Sequence, residues 1–159
     1  MIIGDNMKKY VGIAIGIVLI IVLFLIFTNT TKVTTCKLNN KQSNYDITST
    51  YSIKSRGDVV KSVEVNQTIT SKEKDILKSF EEQYKNQYSL NKKLYGGYNY
   101  EVKINNNKLV TKVTIDYDDF KLDKFVKDNK AMKKYINKDN EFTLEGAKKL
   151  YKSTGAKCE

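Results

Sequence analysis

Histidine, proline and tryptophan are absent from this chain of 159 residues, and arginine occurs once, at Arg56. Without histidine the commonest general base and metal ligand is gone, which excludes Ser-His-Asp triads, Cys–His pairs and ordinary catalytic zinc sites. Cysteine occurs only at Cys36 and Cys158, so there is no Cys-x-x-Cys motif, and no glycine-rich phosphate loop is present. No cofactor is expected. Charge is missing over one long stretch. Between Lys9 and Lys32 the chain carries no charge at all, and from Val11 to Phe27 every residue is apolar or glycine.

A bilayer core about 30 Å thick needs roughly 20 helical residues at about 1.5 Å each. Tyr10 to Thr28 supplies 19. The run has no polar stripe of the kind a buried core helix carries, and it is longer than the apolar part of a cleaved signal peptide. Thr28-Asn29-Thr30-Thr31-Lys32 offers no small-residue cleavage pattern. Cys36 lies nine residues beyond Phe27, behind Val33-Thr34-Thr35, not where a lipid-modified cysteine would sit. The expectation is an uncleaved single-pass transmembrane helix over residues 10–28. Lys8 and Lys9 place a short tail, residues 1–9, in the cytoplasm and everything after the span outside. Gly12 and Gly16 form a GxxxG pair, a spacing that apolar segments also reach by chance.

Residues 29–35 read as a polar stalk and residues 36–159 as one extracytoplasmic domain. Setting aside Lys8, Lys9 and Asp5 leaves 26 basic and 17 acidic residues, a net charge of +9. Such a surface beside a membrane suits anionic lipid headgroups or anionic wall polymers, although lysines interleaved with acids also serve plain solubility. Nucleic acid is not expected as a partner at this location, and the protein partner is left open. In an oxidising compartment Cys36 and Cys158 are expected to pair, closing a loop of about 120 residues and contributing roughly 4–5 kcal/mol.

Within the domain, Tyr45, Ile47, Tyr51 and Ile53 alternate with Asp46, Thr48, Thr50 and Ser52, which predicts a half-buried strand. Ser55 to Asp58 makes a turn into a second strand through Val59, Val63, Val65 and Ile69. Thr70-Ser71-Lys72-Glu73 has the form of a capping box. Ile76, Leu77, Phe80, Tyr84 and Tyr88 then share one helical face, and Asn91 to Gly97 ends the helix. A second hairpin follows, with Tyr98, Tyr100, Val102 and Ile104 before Asn105-Asn106-Asn107, and Leu109, Val113, Ile115 and Tyr117 after it. Leu122 to Ile136 predicts one broken helix. Thr143 caps another through Tyr151, stopped by Gly155. The expected fold is therefore α+β: the transmembrane helix, then an antiparallel β-sheet of two hairpins packed on one face by helices, in the order ββ-α-ββ-α-α. The 11 tyrosines of the chain fall mainly at core-facing positions.

Several of these segments are similar to those of a known family. The hairpin turn Arg56-Gly57-Asp58-Val59-Val60, the capped helix, Val113-Thr114-Ile115-Asp116-Tyr117 ahead of Asp119-Phe120, and Leu144-Glu145-Gly146-Ala147-Lys148-Lys149-Leu150 resemble the YehR-like bacterial lipoproteins, over most of residues 36–157. The resemblance implies a cell-envelope location and a fold, and it carries no activity, since the family is a domain of unknown function. This chain departs from it by having a transmembrane anchor in place of the lipid-modified cysteine.

One acidic cluster stands out: Asp116, Asp118, Asp119 and Asp123, between a strand and a helix. Calcium needs several oxygens at one point, yet the spacing is not that of an EF-hand, and acids at a helix start also answer its dipole. Arg56-Gly57-Asp58 is an ordinary turn sequence. The leading expectation is a non-enzymatic binding or scaffolding module of the envelope. The alternatives are a small subunit of a membrane complex, and an envelope hydrolase using carboxylates such as Asp116, Asp118 or Asp119.

Overall fold

The computed structural model describes residues 30–159. Six strands form one antiparallel sheet: β1 (Thr31–Lys41), β2 (Asp46–Arg56), β3 (Val59–Thr70), β4 (Tyr98–Asn105), β5 (Lys108–Asp116) and β6 (Lys157–Cys158), in the spatial order β4-β5-β3-β2-β1-β6. Helix α1 (Lys74–Tyr95) separates β3 from β4. After β5 come α2 (Leu122–Asp128), a 3-10 turn (Lys130–Tyr135) and α3 (Leu144–Ser153).

The expected fold is corrected in its sheet. Two hairpins in the order ββ-α-ββ-α-α account for four strands, whereas the sheet has six. Thr31 to Thr35, expected as stalk, are the first half of β1, which pairs with β2 along its whole length from Thr31↔Arg56 to Lys41↔Asp46. β6 adds the pairs Cys36↔Cys158 and Lys37↔Lys157 on the other side of β1. The apolar stretch Tyr10 to Thr28, expected as a transmembrane helix, lies outside the described residues, and no described helix is long and apolar enough to cross a membrane. The expected capping box is corrected as well. Thr70 is the last residue of β3, paired with Lys108, and the hydroxyl of Ser71 accepts from the Glu73 amide at 3.1 Å while donating to the Asn44 carbonyl. Sheet pairing at Thr70 outcompetes a local cap.

Both hairpins form as the alternation predicts, the first through Gly57 at φ 59 and the second through Asn106 at φ 54. Thr143 caps α3 by accepting from the Gly146 amide at 2.9 Å. Cys36 and Cys158 are joined by a disulfide, 122 residues apart in sequence.

All helices lie against one face of the sheet. α1 places Leu77, Phe80, Tyr84 and Tyr88 over β4 and β5, where Ile69, Leu77, Val102 and Leu109 are buried together. α3 and the 3-10 turn cover β2 and β3 through Ile53, Val60, Val63, Phe142 and Ala147. The two helical covers leave a gap between them, over the middle of the sheet. At one end of this gap Gly97 lets the chain pass close to β5. A Cβ there would lie 2.5 Å from the Asp116 carbonyl oxygen, and its φ of +68° suits glycine. That approach sets the start of β4 and hence the position of Tyr98.

Candidate functional site

The rows of the sheet's inner face explain what lies in the gap. Side chains on alternate positions point inward, and the ladder registers bring one from each strand into line. One row, Ile47–Ile69–Leu109–Ile104, is wholly aliphatic. The next reads Ser49–Gln67–Thr111 across the three central strands. The third is Tyr51–Val65–Val113–Tyr100. A band of hydrogen-bonding side chains therefore crosses an otherwise apolar face. Ser49 and Thr111 are 3% and 1% exposed, and neither hydroxyl has a hydrogen-bond partner in the protein. A buried hydroxyl without a partner costs about 1–3 kcal/mol.

Tyrosines roof this band. From α1, Tyr84 lies near Gln67 and Tyr88 near Thr111. Their rings belong to a continuous run of contacts, Tyr45–Phe80–Tyr84–Tyr88–Tyr100, with centroids 5.1 to 5.8 Å apart. From the other side Tyr151 of α3 stacks on Tyr51 at 4.2 Å. Burial pushes the Tyr88 and Tyr98 hydroxyls up to about 12, against an ordinary value near 10, and pushes Tyr117 and Tyr151 up also. The site's hydroxyls stay protonated and neutral throughout the physiological range.

Beside the band, between α1, α2 and the sheet, opens a cleft of about 370 Å³. Its floor is Val65, Val113 and Ile115, with Tyr98 at the β4 end; its walls are Gln87, Tyr88, Asn91 and Tyr95 from α1, and Phe125 and Asn129 from α2 and its C-cap. No lining residue carries a charge. Asn91 lies beside the Tyr98 hydroxyl. At the rim, the exposed Asp128 accepts from the Tyr95 hydroxyl at 3.1 Å, and the Lys124 ammonium lies 5.9 Å from the centre of the Tyr95 ring. A larger depression of about 470 Å³ at the other end of α1, lined by Tyr45, Asp75, Ile76, Ser79, Phe80 and Gln83, is more open to solvent. Enclosure and converging polar groups, rather than size alone, mark a small-molecule site, and they favour the cleft.

The acidic residues singled out in the sequence are elsewhere. Asp116 ends β5, and its carboxylate accepts from the Asp118 amide at 3.0 Å. Asp118 pairs with Lys61 at 3.0 Å, and Asp123 sits in the first turn of α2. Among the described residues no three or more His, Cys, Asp or Glu side chains come together as a metal site, and every buried polar residue is a serine or threonine. The cleft and the polar band were missed in sequence. Their signal was present, since Ser49, Gln67 and Thr111 stand at inward parity among Ile47, Tyr51, Val65, Ile69, Leu109 and Val113.

The raised tyrosine values have a consequence at high pH. A group whose folded-state value exceeds its unfolded value contributes fully below the unfolded value and loses that contribution as pH rises through the folded one. For Tyr88 and Tyr98 the window is therefore about pH 10 to 12. Absorbance titration at 295 nm is expected to show tyrosinates still forming at about pH 12, with thermal stability falling between about pH 10 and 12. A single transition near pH 10 with unchanged stability contradicts the buried placement.

No protein-family model and no curated protein matches the chain. Among solved structures, the NMR structure of Escherichia coli YehR protein is similar, with a TM-score of 0.51 and 17% identity over 80% of this chain and 91% of that one. The NMR structure of a protein from Streptococcus pneumoniae TIGR4 has a TM-score of 0.49 and 18% identity over 82% of this chain and 86% of that one. The sheet with one helical face is thus a YehR-like fold. At this identity the likeness extends to fold alone, and neither structure supplies an activity.

Proposed function

We propose that this protein is a non-enzymatic binding module of the bacterial cell envelope, held at the cell membrane by its apolar stretch Tyr10 to Thr28 with the folded domain on the outer side. The observation that carries the binding reading is the cleft between α1, α2 and the sheet: less open than the depression at the far end of α1, walled by rings and amides, and lined by no carboxylate, lysine or arginine. A hydrolase working through carboxylates needs one placed against bound substrate. Here Asp116 is engaged in a turn, Asp118 in an exposed ion pair, Asp119 stands exposed in the turn after β5, and none of the three lines the cleft. The location is supported by the uncharged run and by the Lys8-Lys9 flank. The disulfide accords with an oxidising compartment. Lysines on the outer sheet face, several neutralised by pairs such as Lys112–Glu64 and Lys103–Glu101, supply a secondary attraction to anionic headgroups or wall polymers.

Purified full-length protein in detergent is expected to co-sediment with isolated envelope fragments. Asn91→Trp, which fills the cleft, should cut the bound fraction at least fivefold while leaving the melting midpoint within a few degrees. Lys103→Ala on the outer face should leave sedimentation nearly unchanged at moderate salt, where exposed charges are screened. Equal binding by Asn91→Trp and the parent protein refutes the cleft as the binding site. Protease added to whole cells should remove the folded domain, and protection of that domain alongside a digested surface control refutes the location.

A further inference from the structure

We infer that the cleft takes a neutral saccharide unit, one bearing hydroxyl or acetamido groups, as its ligand. This rests on the cleft being the binding site, and it names what that site recognises. Gln87, Asn91 and Asn129 each present a carbonyl acceptor and an amide donor, and the tyrosine hydroxyls both donate and accept. An acyl chain would desolvate the amides of Gln87 and Asn91 without pairing them, which is costly, whereas Tyr95 and Asn129 already donate to Asp128 and to the Phe125 carbonyl. An anionic ligand finds no lysine or arginine within the cleft, and a cationic one finds no carboxylate there; the two charged groups nearby, Lys124 and Asp128, stand at the rim and are already engaged with Leu94 and Tyr95. An extended peptide is held by backbone pairing at a sheet edge. The cleft floor is instead the inner face of β3 and β5, both interior strands of the sheet.

What remains is a compact neutral molecule with apolar faces and a rim of mixed donors and acceptors. A pyranose has that form. Its C–H faces suit the rings of Tyr88, Tyr98 and Phe125, and its hydroxyl or acetamido rim suits the amides. The size agrees, since about 370 Å³ is near the lower end of the roughly 300–1,000 Å³ range of small-molecule sites and accommodates a short saccharide.

The test uses the full chain in detergent, with N,N′-diacetylchitobiose and maltose as probes, and Ala-Gly-Ala and polyphosphate as comparators. Amide chemical-shift mapping is expected to show one of the saccharides perturbing Tyr88, Asn91 and Val113, with Asn91→Ala weakening it about tenfold, the loss of one or two hydrogen bonds. Tyr98→Phe, which removes a hydroxyl and keeps the ring, should weaken it less and preserve the fold. The saccharide should also release the protein from envelope fragments. Binding of neither saccharide, while sedimentation still depends on Asn91, overturns the ligand class and leaves the cleft standing. Preferential binding of peptide or polyphosphate at these residues overturns it too. Sedimentation that is indifferent to Asn91→Trp defeats the cleft itself, and the ligand class with it.

Discussion

Breaking the Cys36–Cys158 bridge, by reductant or by replacing both residues with alanine, is expected to lower the melting midpoint of the domain by roughly 10–20 °C. The bridge closes a loop of 122 residues, for which the chain-entropy model gives about 4–5 kcal/mol. The local structure argues for an effect of that size. β6 is two residues long, and its hold on β1 consists of the pairs at Cys36 and Lys37 and the bond from the Glu159 amide to the Thr35 carbonyl at 2.9 Å. Without the covalent link, so short a strand has too few contacts to stay docked, and the end of α3 loosens with it. Cys36 is 0% exposed, so reductant must attack through Cys158, which is half-buried. Reduction should therefore be slow in the native protein and fast once it is unfolded. Scanning calorimetry with and without reductant measures the shift, and non-reducing electrophoresis should show a compact monomer whose mobility drops on reduction. An unchanged midpoint would mean that the long β1–β2 ladder alone holds the N-terminal strand.

Legibility in the sequence followed the strength of the alternation. β2, β3, β4 and β5 place aliphatic or aromatic residues at most inward positions, so their hairpins were plain from period and turn residues. β1 was hidden because only Cys36 and Leu38 supply apolar inward groups over 11 residues. The strand lies toward one side of the sheet, where the helical cover reaches it only near the disulfide, so its other positions are free to be threonine, asparagine and lysine. β6 is too short to have a period. The bridge itself was foreseen from the positions of the two cysteines, although the strand pairing that aligns them was not. The polar band failed for a different reason. An inward position carrying Ser49, Gln67 or Thr111 is indistinguishable from a gap in the pattern until ladder registers line the three up across adjacent strands. The aspartates misled in the opposite direction, because a strand-to-helix junction gathers acids for turn and helix-start reasons that involve no ligand.

Phe142→Ala is expected to destabilise the domain by about 3–5 kcal/mol, the range for a fully buried ring truncated to a methyl. Phe142 is 2% exposed, packs against Tyr117 with centroids 5.2 Å apart, and stands among the largest side chains wholly enclosed by the fold. Its position makes the loss more than a cavity. The Phe142 carbonyl accepts from the Val60 amide at 2.9 Å, and the Leu144 amide donates to the Asp58 carbonyl at 2.8 Å, so the ring is buried where the backbone fastens the C-terminal helices to the β2–β3 turn. The buried cluster under α1, formed by Ile69, Leu77, Val102 and Leu109, is a separate set. Chemical denaturation should report the global loss, with Phe142→Leu recovering much of it. Hydrogen exchange should then distinguish the two clusters. The amides of Val60 and Leu144 are expected to exchange by local opening in Phe142→Ala, while those of Leu77 and Leu109 continue to exchange only through global unfolding. Equal acceleration at all four would show one cooperative core, in which the C-terminal fastening has no independent stability.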